Sequence, residues 1–226
     1  MMHLKAAIQR LIRRKMSKAK RAKQPRNLYP DPIRRLPADH QAAARSLTNH
    51  EYCKSLKYKA QSLKTSWEGV HPDILDFHKA FQKELLQRGY PFYAFFFWRS
   101  HELQDELYRQ GSTKARGGQS PHNYGCAVDE VHCYKFWDLT RKQWAVLGAI
   151  GKEVARRKGI KIVWGGDWKF YDPVHFQLAD WKRYKADIDR LDIEVTTQNL
   201  TALRWYFSAC DRAQREKKPL PDHPFE

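Results

Sequence analysis

The sequence predicts an α+β domain: a small antiparallel sheet with flanking helices, preceded by a basic amino-terminal arm and followed by a helical carboxy-terminal extension. Three observations lead there. Short apolar and aromatic runs, "FYAFFFW" (92–98), "CAVDEV" (126–131), "IKIVW" (160–164) and "VHFQL" (174–178), alternate with stretches of helical periodicity. The late strands lack the regular βαβ alternation of a parallel sheet. The chain of 226 residues, 42% hydrophobic and 13% aromatic, suffices for one well-buried domain plus extensions.

The elements follow in order. Residues 3–16 place Leu4, Ile8, Leu11 and Ile12 at helical spacing among basic residues, and 17–39 are basic and punctuated by proline, so 1–39 is read as an amphipathic arm and linker. One weakly amphipathic helix is expected around 40–63, within a lead-in over 40–66. The globular domain is expected over 67–180. Pro72 suits the first turn of a helix that buries Ile74, Phe77, Phe81 and Leu85 and ends at Gly89. The aromatic run 92–98 is a buried strand. Ser100 caps the helix "HELQDELYRQ", closed by Gly111, and "STKARGGQSP" is a loop. After the strand 126–131, Thr140 opens a helix with Trp144, Leu147 and Val154 inward, stopped by Gly159. The last two strands are joined by "GGDWKFYDP". The extension 181–226 is helical, with Leu200, Leu203, Phe207 and Cys210 as its packing stripe.

The net charge of +17 is uneven. Residues 1–30 contain five Lys, five Arg and no Asp or Glu, so +10 sits there and +7 on the rest. Such a chain expects anionic partners: bacterial wall, an anionic membrane, or nucleic acid through residues 1–30. The four cysteines form no CxxC pair, which argues against a zinc ribbon. No secretory signal is visible and the longest apolar run is too short to span a bilayer. The expectation is a monomer with free thiols, held in a bacterial cytoplasm before reaching the wall.

One constellation carries chemistry. In a strand, Ala127, Asp129 and Val131 share a face, as do His175 and Gln177. If the two strands are neighbours, Asp129 and His175 project to the same side, and His122, in the turn entering the first strand, swings over them. Two imidazoles and a carboxylate with a fourth position open are the ligand set of one catalytic zinc, with cobalt or manganese as alternatives. Asp172, three residues before His175, is placed to take a proton from attacking water, and Arg99 to face an oxyanion.

These residues also carry a resemblance. "SPHNYGCAVD" (120–129) resembles the SxHxxGxAxD motif of the zinc peptidases that include D-alanyl-D-alanine carboxypeptidases, D-Ala-D-Ala dipeptidases and phage L-alanyl-D-glutamate endopeptidases. "GVHPD" (69–73), "RSHELQDELYRQG" (99–111), "KARGGQSPHNYG" (114–125) and "WGGDWKFYDPVHF" (164–176) resemble further segments of that family in the right order, over roughly residues 65–180. The resemblance implies His122, Asp129 and His175 as ligands of one Zn2+, Asp172 as catalytic base and Arg99 as the group that polarises the carbonyl. It implies Ser120 as a support of the substrate or of the ligand loop, and a small α+β fold shared with the hedgehog signalling domain; Gln104 and Trp164 are taken as further substrate contacts, and Trp164, Trp168 and Phe176 as pocket walls and core. Asp172, where the dipeptidase branch has Glu, and the WGGDW box favour the endopeptidase branch. The sequence departs from the family pattern at Cys126, at Pro173 and in the polar "EVHCY" (130–134); His132 and Cys133 are not expected as metal ligands, because a thiolate there would close the open site.

The expected function is therefore a phage endolysin-type L-alanyl-D-glutamate endopeptidase acting on peptidoglycan. The alternatives are a D-alanyl-D-alanine carboxypeptidase on the same scaffold and a non-catalytic virion or nucleic-acid-binding protein using the basic arm.

Overall fold

The computed structural model of the protein describes residues 31–190, 192–222 and 224–225, with the side chains of 190, 207, 211, 214 and 215 outside the description. The expected basic arm over 1–30, its membrane or nucleic-acid role, and Phe207 of the expected packing stripe lie outside the described residues. Residues 32–226 gather into one compact unit. Among the described residues, no helix is long and apolar enough to cross a membrane.

The helical lead-in is three short helices rather than one: α1 (Ala38–Ser46), α2 (His50–Lys54) and α3 (Leu56–Ser62). The breaks come from side chains that compete for backbone donors. Asn49 accepts the Tyr52 N–H at 2.9 Å and Ser55 accepts the Tyr58 N–H at 3.1 Å, so each starts a new helix. The long helix α4 (Pro72–Gln87) begins at its proline as expected and buries Ile74, Phe77, Phe81 and Leu85. Strand β1 (Phe92–Phe96) follows, and then α5 (His101–Arg109), capped by Ser100. Strand β2 (Ala127–His132) leads through a turn to α6 (Arg141–Lys158), which carries a capping box at Thr140 and ends on left-handed Gly159. Strands β3 (Ile162–Trp164) and β4 (His175–Leu178) precede α7 (Trp181–Arg190) and α8 (Thr197–Glu216).

All four strands pair antiparallel in the order β1-β2-β4-β3. The aromatic run stops pairing at Phe96, where a bulge between Ala94 and Phe96 shifts the register. One face of the sheet packs on α4 and α6. Phe176 of β4 lies 5.5 Å from Phe77 and 5.2 Å from Phe81, and all three rings are fully buried. Burial of this kind contributes about 1.5–3 kcal/mol per large apolar side chain. The carboxy-terminal helices join the same unit: Leu200 and Leu203 are in the core, Thr201 Oγ1 accepts the Gly69 N–H at 3.1 Å, and Arg204 donates to the Val70 carbonyl at 2.8 Å.

Residues 130–134, more polar than the resemblance leads one to expect, have their polar groups turned to the helical side. Glu130 is fully buried, with its carboxylate accepting from Gln82 Nε2 at 2.7 Å and lying 2.6 Å from His78 Nδ1. A buried carboxylate requires such partners. Cys126 is a buried thiol, and all four cysteines are free.

Candidate active site

The turn Ser120–Gly125 is built to present one imidazole. Pro121 opens a single 3-10 turn, Pro121–Tyr124, whose cap Ser120 accepts the His122 N–H at 3.3 Å. Asn123 ties the turn together: its Oδ1 accepts the Gly118 N–H at 3.0 Å, and its Nδ2 donates to the Arg99 carbonyl at 2.9 Å. Gly125 closes the turn at φ 64°, and a Cβ there would lie 2.0 Å from the Gly69 carbonyl oxygen. Glycine is demanded twice over, by the left-handed backbone and by the close approach. The result is that His122 hangs over the sheet face opposite α4.

On that face, Asp129 of β2 sits directly across from His175 of β4. Three atoms converge: His122 Nε2, Asp129 Oδ1 and His175 Nδ1 are each 3.1 Å from the other two. All three residues are buried. The outer ring nitrogens are engaged elsewhere. His122 Nδ1 lies 2.8 Å from the Phe97 carbonyl and His175 Nε2 lies 3.0 Å from Gln177 Oε1. A carbonyl oxygen can only accept, so His122 carries its proton on Nδ1 and turns the Nε2 lone pair inward.

Two ring nitrogens and a carboxylate oxygen facing one another at this range are positioned to share a cation, a proton or a metal ion. Tetrahedral zinc with ligands at 2.0–2.1 Å sets its ligand atoms about 3.3 Å apart, close to the separations found. The donor set of two imidazole nitrogens and one carboxylate oxygen, with outer-nitrogen acceptors fixing the rings, fits zinc. The electrostatics agree. Burial, reinforced by the Arg99 charge, pulls His122 down to about 4, so it is neutral at neutral pH. Against the opposing effect of burial, His122 and Arg99 hold Asp129 well below the usual carboxylate range. Against burial again, the Asp129 hydrogen bond and charge push His175 upward. The site attracts positive charge.

The same residues line a cleft of about 550 Å³, together with Arg99, Asp172 and Ser120. The Arg99 guanidinium donates to the outer oxygen of Asp129, Oδ2, and lies 4.7 Å from the Phe96 ring centre. Asp172 is carried by the β3–β4 loop, where its N–H donates to the Gly165 carbonyl at 3.1 Å; a Cβ on Gly165 would meet the Asp172 carbonyl at 2.4 Å. Burial, then the Asp129 charge, raises the Asp172 carboxyl above the usual range, the direction that makes a carboxylate a better base.

Two of the expected substrate contacts are elsewhere. Gln104 is fully buried on α5 and does not line the cleft; its amide donates to Thr113 Oγ1 at 3.2 Å and to the Ala115 carbonyl at 3.0 Å, so it anchors the loop that does. Trp164 is buried at the end of β3, donating to the Pro173 carbonyl at 2.8 Å and stacking on Phe176, away from the cleft lining. Helical and strand periodicity turn both side chains into the packing. Ser120 does line the cleft. His132 and Cys133 cannot reach the ligands. His132 points to the opposite face from Asp129, where its ring meets Phe92 and Tyr134 edge-on, and Cys133 is buried with its thiol pushed up to about 12 by desolvation.

Residues not assigned from the sequence also shape the site. Gln177 fixes the His175 ring, and the alternation of "HFQ" already placed it on the ligand face. Trp168, read from the sequence as pocket wall or core, lines the cleft with its ring centre 5.3 Å from that of His175, whereas the Phe97 carbonyl had no signal of its own.

A family model described as D-alanyl-D-alanine carboxypeptidase matches residues 113–178, a span that contains all three converging residues and Asp172. The peptidoglycan L-alanyl-D-glutamate endopeptidase CwlK of Bacillus subtilis (strain 168) is 38% identical over 100 residues, covering 36% of this chain and 56% of the relative. The chain thus spans a little over half the length of that relative. The L-Ala D-Glu endopeptidase ChiX of Serratia marcescens, a solved structure, is 31% identical, covering 52% of this chain and 85% of that one, with a TM-score of 0.43. Residues 113–178, which hold the histidine turn, the facing strands and the closing loop, are thus similar to the peptidase family described as D-alanyl-D-alanine carboxypeptidase.

Proposed function

We propose that the protein is a zinc-dependent endopeptidase that cuts the L-Ala–D-Glu bond of peptidoglycan stem peptides. The observation that carries this is the convergence of His122 Nε2, Asp129 Oδ1 and His175 Nδ1 at 3.1 Å at the floor of a cleft that also contains Asp172 and Arg99. The endopeptidase name of CwlK supports the choice of bond.

Zinc, when bound, supplies a Lewis acid that lowers the pKa of water toward about 7. The chain's own residues do the rest. Asp172 takes the proton from the attacking water and hands it to the leaving amine of D-Glu. Arg99 keeps Asp129 ionised and oriented through Oδ2, and its positive charge beside the cleft favours an oxyanion. Ser120 holds the His122 backbone and thereby the ligand turn. Phe96 and Trp168 form apolar walls that limit water.

A D-alanyl-D-alanine carboxypeptidase is the second reading, favoured by the description of the matching family. One experiment separates them: purified protein is incubated with peptidoglycan, with chelator or with zinc, and the new termini are identified by mass spectrometry. New D-Glu amines paired with L-Ala carboxyl ends support the proposal; released D-Ala supports the second reading; no cleavage by zinc-loaded protein rejects both. A lytic role in phage release is part of the proposal. It requires that expression inside a bacterium lyse the cell only when a separate membrane lesion opens the way to the wall.

A further inference from the structure

The cleft has two aromatic walls of different character. On the β1 side, Trp137 packs edge-on against Phe95 with ring centres 5.1 Å apart, Phe95 packs edge-on against Phe96 at 4.8 Å, and the Arg99 guanidinium lies over Phe96. A row of rings thus runs from the Asp129 partner to the rim. On the β3–β4 side, Phe170 stands at the rim with the Lys114 ammonium 5.7 Å from its ring centre. Both rim rings are half exposed, Trp137 at 53% and Phe170 at 52%, and both line the cleft. Trp137 follows Phe136, which holds a left-handed backbone at φ 51°. For a bulky residue that conformation costs about 1–3 kcal/mol. It is retained in a turn whose outcome is an exposed indole beside the metal ligands.

The charges of the cleft say what the indole meets. Among the described residues lining it, the carboxylates are Asp129 and Asp172, and both belong to the ligand set and proton transfer. No further carboxylate is there to receive a free ammonium, whereas Lys114 offers a positive charge to an acidic residue. A substrate that suits this cleft has a blocked amine on one side of the scissile bond and an acidic residue on the other. The cleft, about 550 Å³, has room beyond a dipeptide.

Resting on the endopeptidase reading above, we propose that Trp137, backed by Phe95, is a subsite for the N-acetylated amino sugar that blocks the stem peptide, so that the enzyme prefers stem peptides still attached to the glycan. The apolar face of a pyranose ring lies flat on an aromatic ring, burying C–H groups against the negative π-face, and its hydroxyls stay in water. Lys114 and Phe170 then face the D-Glu side, which sets the direction of the substrate. In order of events, this reaction precedes any that releases the peptide from the sugar.

The test compares two substrates, the disaccharide-linked stem peptide and the same peptide carrying only an N-acetyl cap, on wild type, Trp137→Ala and Trp137→Phe. Expected is a wild-type preference for the sugar-linked peptide, expressed in KM, that falls about tenfold in Trp137→Ala and recovers partly in Trp137→Phe. Equal kcat/KM on both substrates in wild type, or equal losses on both in Trp137→Ala, overturns the subsite. Saturation-transfer NMR with the disaccharide alone decides it without catalysis: transfer to ring protons in wild type and its loss in Trp137→Ala are expected, and transfer that survives the substitution overturns it. If zinc-loaded wild type cleaves neither substrate, the endopeptidase reading falls, and the disaccharide binding still judges the subsite.

Discussion

Asp129 on β2 and His175 on β4 are direct cross-strand partners, and their Oδ1 and Nδ1 atoms meet at 3.1 Å over a face they share with His122 Nε2. The pairing register itself brings together the pair that would hold a metal, and Gln177, two residues along the same face, fixes the His175 ring. Gln177→Leu is therefore expected to weaken zinc binding about 10–100-fold while leaving the fold intact. Competition with a chromophoric chelator measures the first and circular dichroism the second; unchanged affinity refutes the orienting role.

Asp172 lines the cleft without belonging to the converging set. Asp172→Asn keeps the size and removes the base, so kcat should fall about 10²–10⁴-fold. Zinc content, measured by atomic absorption after dialysis, should be retained. Loss of the metal along with the activity would instead make Asp172 a ligand.

Gly125→Ala places a methyl group 2.0 Å from the Gly69 carbonyl at a backbone φ of 64°. Strain of about 1–3 kcal/mol from the backbone is joined by displacement of the segment around Gly69. The expected result in urea unfolding is a loss at or above the top of that range, together with weaker zinc binding, because the same turn aims His122. A neutral outcome would contradict the turn geometry.

His132 supplies a pH dependence. Desolvation, with help from the Lys135 charge, lowers its folded-state value from 6.5 to about 4, so the unfolded chain binds a proton that the folded chain refuses. Stability is unaffected by this group above about pH 6.5 and falls as pH drops from there to about 4, by up to about 1.4 kcal/mol per pH unit. His132→Asn keeps an acceptor for the Tyr134 and Lys135 N–H groups that His132 Nδ1 now accepts. Urea midpoints followed from pH 7 to pH 4.5 should decline less steeply in the variant; parallel declines would show that His132 is not the group.

Much of this was legible in the residues. Strand periodicity put Asp129 on one face of its strand and His175 with Gln177 on one face of theirs. Proline, glycine and the capping side chains of Ser100 and Thr140 marked the helix ends, because those residues act through local backbone geometry. The same local logic at Asn49 and Ser55 divides the lead-in into three helices where one was expected.

What local patterns could not decide was which side chains face the cleft. Gln104 and Trp164 sit in matching motifs, yet the helix phase of α5 and the packing of β3 on α6 turn both inward. The buried Glu130 with His78 and Gln82 pairs residues far apart in sequence and follows from sheet-on-helix packing. Trp137 came to the cleft through a turn with a left-handed Phe136 that no sequence rule favours. The sequence by itself determined the types of the candidate ligands, their order and the strands that carry two of them, since these depend on residue chemistry and a two-residue period. The tertiary structure decided their convergence at 3.1 Å, the His122 lone pair turned inward by the distant Phe97 carbonyl, and the aromatic walls, because each depends on contacts between segments that only folding brings together.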